Sequence, residues 1–299
     1  MLERKTKGSI VCPNCGRLIS ADVQECIHCG RKNPGLWGYG HIIQKYFGQG
    51  SLVPVITGAC VVLYALSLLL DLSALFQLRG FFRLFSPTHE VLVRLGMSGL
   101  YPLAEGRWWT AISAIYLHGG VLHILFNMLW LRQLGSVMEE LFGTSRTFLI
   151  FTIAGAFGFL MSYFMGAVVL RLLDNQIGSA RLFAQIGLIV PYTIGASGAI
   201  FGLFGALVYY GKKRGGAFGN AVLSQFGKFA IILFVLGLIF PGVDNLSHGG
   251  GFVGGVLAAW LLGYQESRLE NLRHRLLAVG AAILTVVCLV LAIGTGLFL

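Results

Sequence analysis

Three stretches of this sequence carry polar side chains in patterns that could do chemistry. His118, His123 and Asn127 form a His-x-x-x-x-His-x-x-x-Asn run, and His123 and Asn127, four apart, share a helix face. Gly195-Ala-Ser197-Gly198 sets a serine among small residues. His248, Gly251 and Gly255 follow at i, i+3 and i+7, so one face carries a histidine and a Gly-x-x-x-Gly pair. A serine becomes a useful nucleophile when a base takes its proton. A histidine shielded from water favours its neutral form and can be that base. The tetrahedral intermediate of acyl transfer then needs donors already aimed at its oxyanion. His123, Asn127 and the Ser197 backbone N–H could supply them. Each element alone has a plainer use, because small residues and single polar side chains also serve to pack membrane helices. No carboxylate lies in the apolar segments at this depth to orient His248; Asp244, in the loop before it, is the nearest in sequence. The reading is a Ser–His pair without a third acid.

A fourth constellation lies near the N-terminus. Cys12-Pro-Asn-Cys15-Gly and Cys26-Ile-His-Cys29-Gly are two matched knuckles with ten residues between them. Four thiolates at this spacing can close tetrahedrally on Zn²⁺, and a glycine after each pair permits the tight turn. With four cysteines His28 has no role as a ligand. The site has no open position, so it is expected to fold a small module rather than to catalyse. Cys60 and Cys288 sit singly in apolar runs and read as small buried hydrophobes.

The elements that must position these groups are membrane spans. Of 299 residues, 56% are hydrophobic and 11% charged, against about 25% charged in a soluble domain. A soluble globule is excluded on that balance, and no signal-peptide pattern precedes the first apolar run at Leu52. A helix crosses the bilayer with about 20 apolar residues. Seven segments qualify, at about 52–72, 118–141, 147–170, 191–210, 228–243, 246–264 and 276–298. Pro191 suits the first turn of the fourth, which would put Ser197 within two turns of its start. Gly198, Gly202 and Gly205 make a stripe that lets another helix approach. The segment 73–117 is too long for a turn. Its apolar pairs Phe81-Phe82 and Leu84-Phe85, with Trp108-Trp109 and Arg94, suggest an outer loop half embedded in the leaflet.

Orientation follows from Lys and Arg in the loops. With the N-terminus in the cytoplasm, the inner segments hold Arg4, Lys5, Lys7, Arg17, Arg31, Lys32, Lys45, Arg146, Lys212, Lys213, Arg214, Lys228, Arg268, Arg273 and Arg275. The outer segments hold only Arg79, Arg83, Arg94, Arg107, Arg171 and Arg181. Spans two, four and six then all run from outside to inside. His118, His123, Asn127, Ser197 and His248 fall in the first portions of those spans, at one depth near the outer face. Seven spans put the C-terminus outside.

Taken together, the His118–His123–Asn127 run, the Gly195–Gly198 motif and the His248–Gly251–Gly255 motif resemble the rhomboid intramembrane serine proteases, from about Leu52 to Tyr264. The resemblance implies an all-α polytopic membrane protein with a six-helix core, Ser197 as nucleophile and His248 as base. It implies an oxyanion pocket from His123, Asn127 and the Ser197 backbone, with His118 in support. Its substrates would be single-span membrane proteins, cut near the outer end of a helix-destabilised segment. The seventh span resembles the six-plus-one variant. One departure stands out: the family often has Trp-Arg in the first outer loop, and here Trp109 is followed by Thr110. The expected organisation is a zinc-ribbon-like module at 1–35, a linker at 36–51, the core at 52–264 and a loop plus seventh span at 265–299. The expected location is a bacterial plasma membrane. The expected partners are the lipid bilayer and membrane-protein substrates, with no nucleic acid and no catalytic cofactor; a cytoplasmic partner of the cysteine module is left open. Two other readings compete: a catalytically silent relative that binds membrane clients, and a transporter or channel. The last is disfavoured, since between 145 and 243 only Asp174, in a loop, is acidic and no repeat halves are visible.

Overall fold

The computed structural model describes residues 7–12, 15, 17–35, 52–76, 84–172, 189–240 and 242–296. The linker 36–51, the charges Arg4, Lys5, Lys45, Arg79, Arg83 and Arg181, the Phe81-Phe82 pair, Asp174 and Gly16 of the first knuckle lie outside the described residues.

The N-terminal segment forms a two-stranded antiparallel sheet, β1 (Ser9–Val11) with β2 (Leu18–Ser20), in which Ile10 faces Ile19. Both isoleucines are buried and pack with Cys12, Ala21 and Cys26. So small a core needs a further tie.

From residue 52 the chain is helical: α1 (Leu52–Leu70), α2 (His89–Arg94), α3 (Leu100–Ala104), α4 (Thr110–Ser113), α5 (Val121–Phe142), α6 (Thr144–Leu172), α7 (Ser197–Arg214), α8 (Gly216–Ile239), α9 (Asn245–Leu262) and α10 (Leu272–Gly296). Five of these, α1, α5, α6, α8 and α10, are long and apolar enough to cross a membrane. The chain is therefore a polytopic membrane protein. The helices α7 and α9, with 18 residues each, fall outside that set. Gly198–Leu207 is buried without a break, so this part of α7 is wrapped by protein and not by lipid.

Small residues bring α6, α7 and α9 together. A Cβ on Gly251 would stand 2.0 Å from the Gly198 carbonyl oxygen, and one on Gly255 would stand 1.9 Å from that of Gly202. On the other side, a Cβ on Gly158 of α6 would meet the Ser247 carbonyl at 2.6 Å. Only glycine permits backbones this close.

Three sequence expectations are corrected. The fourth segment starts its helix at Ser197, not near Pro191, because 189–195 pairs with the 98–100 region (Ser98 N→Thr193 O 3.1 Å, Thr193 N→Ser98 O 2.8 Å, Leu100 N→Val190 O 3.1 Å) and Gly195 turns with φ 119°. The fifth helix starts at Gly216 and not 228, so Lys228 lies within α8 on an exposed face, where its long stem can reach toward headgroups. Arg146 is no loop charge: it is fully buried in the first turn of α6, and an Nη donates to the Arg268 carbonyl. The described stretch 84–117 before α5 is helical in part. It folds as α2, α3 and α4, tied by Tyr64 Oη→Phe85 O (2.7 Å), Thr88 N→Asp71 Oδ2 (2.7 Å) and Ser113 Oγ→Gly96 O (3.0 Å). The C-terminal end of α10 packs on it, with Gly296 against Arg94 and Ala292 against Gly96. Thr110, where the family often has arginine, is buried with its hydroxyl 2.7 Å from the Arg107 carbonyl.

Candidate active site

The site forms where three helices begin. Ser197 is the first residue of α7, and Ile200 N→Ala196 O (2.9 Å) is an opening bond of that helix. The amides of Ser197, Gly198 and Ala199 thus lie at its open N-terminal end, where N–H groups point outward. Gly195, two residues earlier, donates its N–H to the Ala114 carbonyl at 2.9 Å, which fixes the turn into the helix.

His248 is the fourth residue of α9 and is buried. Its Nε2 lies 2.8 Å from Ser197 Oγ. The ring stacks on Phe201 with centroids 4.3 Å apart and planes 16° apart. Phe201 is four residues after Ser197, so the helix that presents the serine also holds the face of the histidine. As one apolar residue among many, Phe201 does not stand out in the sequence, although its i+4 spacing from Ser197 is a signal that finds it. His248 Nδ1 is buried and has no hydrogen-bond partner among the described residues. Asp244 caps α9 instead: it accepts from Ser247 N at 2.9 Å and from Ser162 Oγ at 3.0 Å.

His123 sits in the first turn of α5, with its ring against Gly195: a Cβ there would lie 2.6 Å from His123 Nε2. Gly119 N donates to His123 Nδ1 at 3.3 Å. An accepting Nδ1 leaves the ring proton on Nε2, the nitrogen that faces the serine segment. Asn127, one turn on, is buried and donates Nδ2 to the His123 carbonyl at 2.8 Å, along its own helix. His118 precedes α5 in the turn 117–120. It is buried and meets His123 edge-on at 5.1 Å. The fold therefore brings His118, His123, Ser197 and His248 to one end of α5, α7 and α9, with Asn127 one turn deeper.

The cysteine module is a separate constellation. Cys12 Sγ and Cys29 Sγ are 3.8 Å apart, as are Cys15 Sγ and Cys26 Sγ, and all four sulfurs lie within 4.8 Å of one another. Sulfurs on a tetrahedral zinc with bonds of about 2.3 Å are about 3.8 Å apart. The first knuckle is closed by Cys12 N→Arg17 O (2.8 Å), and the second by Cys26 N→Arg31 O (2.9 Å) and Gly30 N→Cys26 O (2.9 Å), with Gly30 at φ 69°. His28 turns to Arg17 Nη1 at 3.4 Å. Four close cysteines of this kind could hold a metal ion.

A family profile described as Rhomboid domain matches residues 105–265, more than half of the chain. Rhomboid protease GluP of Bacillus subtilis is 31% identical over 183 residues, 61% of this chain and 31% of that protein. RHOMBOID-like protein 4 and RHOMBOID-like protein 5 of Arabidopsis thaliana are 32% and 33% identical, each over 60% of this chain and over 40% and 52% of their own length. The chain thus spans a third to a half of the length of these relatives.

Proposed function

The chain belongs to the rhomboid family, an integral membrane family that includes proteases, and from that premise we propose that it is an intramembrane serine endopeptidase using Ser197 and His248. The observation that carries the reading is the 2.8 Å contact between Ser197 Oγ and His248 Nε2 at buried, convergent helix starts. In this mechanism Ser197 Oγ attacks the scissile carbonyl carbon as His248 Nε2 takes its proton. The oxyanion is met by the Ser197 N–H, by His123 Nε2–H and by Asn127 Nδ2, which must release the His123 carbonyl to reach it. His118 braces His123. The resulting imidazolium gives its proton to the leaving amine. Water then enters and attacks the acyl carbon as His248 takes its proton; the intermediate collapses to the carboxylic acid, and His248 returns the proton to the departing Ser197 Oγ. Phe201 keeps the imidazole in plane for both transfers. No cofactor enters this chemistry.

Substrates in this reading are single-span membrane proteins cut near the outer face. The architecture is a six-helix core of α1 and α5–α9, with α10 as the added seventh span. The Lys and Arg distribution supports a cytoplasmic N-terminus and an outer C-terminus in a bacterial plasma membrane. The domain limits at 1–35, 36–51, 52–264 and 265–299 follow. The four cysteines Cys12, Cys15, Cys26 and Cys29 would hold a structural zinc, whose one contribution is to tie β1 and β2 to the second knuckle.

The test is cleavage of a model single-span substrate by the full chain in bicelles. Ser197→Ala should reduce cleavage to background and abolish labelling by a fluorophosphonate probe. A Ser197→Ala protein that cuts like the parent would sink the proposal. A parent that neither cuts nor labels would instead favour the silent, client-binding reading.

A further inference from the structure

The buried carboxyl group of Asp244 plays no part in the proton transfers above, yet it sits at the centre of the site's supports. It is 8% exposed. Its Oδ1 accepts two hydrogen bonds, from Ser247 N on α9 at 2.9 Å and from Ser162 Oγ on α6 at 3.0 Å. Its own carbonyl accepts from His248 N at 3.1 Å. Asp244 lies four residues before His248. Two otherwise separate pieces thus meet on one side chain: the helix wall α6 and the first turn carrying the base.

A catalytic acid would occupy a different place. It would bond His248 Nδ1, and that nitrogen has no partner among the described residues. The charge of Asp244 is therefore not what the geometry uses. What it uses is an acceptor that takes two donors at once, and at a helix start asparagine does this about as well as aspartate.

We infer that Asp244 is a positioning residue that locks the first turn of α9 onto α6, so that the base keeps its hydrogen-bond distance to the nucleophile. This rests on the serine-protease reading of the same site.

The experiment uses the full chain in bicelles, with two readouts: the rate of Ser197 labelling by a fluorophosphonate, and kcat and KM on a single-span model substrate. Asp244→Ala should lower the labelling rate and kcat by about 10- to 100-fold, the scale of a misplacement near 1 Å, while KM stays within about twofold. Asp244→Asn should recover most of that loss, because its side-chain oxygen accepts from both Ser247 N and Ser162 Oγ. Asp244→Ala at the parental rate would overturn the inference. So would Asp244→Asn as slow as Asp244→Ala, since that pattern belongs to an acid acting through its charge. Should Asp244→Ala fail to fold, the variant Ser162→Ala decides, because it removes the tie to α6 and keeps the cap on α9. A fall in kcat supports the lock, and parental kinetics refute it. A parent that labels no better than Ser197→Ala would mean that the protease reading has failed, and the positioning role would fall with it.

Discussion

Adding one methyl group to Gly251 should switch off this site while leaving the protein folded. Gly251 follows His248 by one helical turn, and Gly198 follows Ser197 by one residue. The Cβ of Gly251→Ala would stand 2.0 Å from the Gly198 carbonyl oxygen and 2.7 Å from its carbonyl carbon. Both are backbone atoms inside helices, so neither can swing aside. Ordinary contact begins at 3.4 Å, and α9 must therefore move about 1.4 Å away from α7. The same motion would stretch the 2.8 Å contact between His248 Nε2 and Ser197 Oγ to about 4 Å, beyond the roughly 3.2 Å reach of a general base. A displacement of that size costs about 100-fold in rate, and overpacking of a tight interface costs about 1–3 kcal/mol in stability. The fluorophosphonate labelling rate reports the first effect and the thermal midpoint in detergent the second. Gly280→Ala, on α10 with nothing within 4 Å of its Cβ, is the control and should label at the parental rate. If Gly251→Ala also labelled at the parental rate, helix separation would not govern the Ser197–His248 contact and the argument would be refuted.

Two further outcomes follow from other parts of the chain. Zinc should co-purify at about one ion per chain, and Cys12→Ser with Cys15→Ser should abolish it, by metal analysis, while core cleavage stays largely intact; the bound metal should also be lost toward acid pH, where protons compete for the thiolates. Asp71 follows α1, outside the span, and accepts from Ser73 Oγ at 2.6 Å and Thr88 N at 2.7 Å, bonds that hold its carboxyl below the usual carboxylate range. A depressed folded value stabilises above the unfolded pKa of about 3.9 and is lost as pH falls through the folded value. Asp71→Ala should thus lower the thermal midpoint at pH 6, and the gap to the parent should close below about pH 4. A gap that stayed constant into acid would refute the role of the charge.

The sequence by itself determined the membrane class, the long apolar segments and which polar residues stand out. The reason is physical: a bilayer demands about 20 apolar residues per crossing, so His118, His123, Asn127, Ser197 and His248 are conspicuous at their depth. The Gly-x-x-x-Gly face of Gly251 and Gly255 was legible for the same reason, since small residues have few other uses there. Tertiary structure alone decided how those residues meet. The start of α7 at Ser197 depends on Ser98, nearly a hundred residues earlier, pairing with Thr193. The acceptor role of Asp244 depends on Ser162 of α6. The burial of Arg146 depends on the 268 carbonyl. Local pattern carries no information about such distant partners. In the sequence, Ser197 and His248 are a short Gly-x-Ser-Gly motif and a lone histidine in two apolar segments. Only the close approach of α7 and α9 sets them 2.8 Å apart.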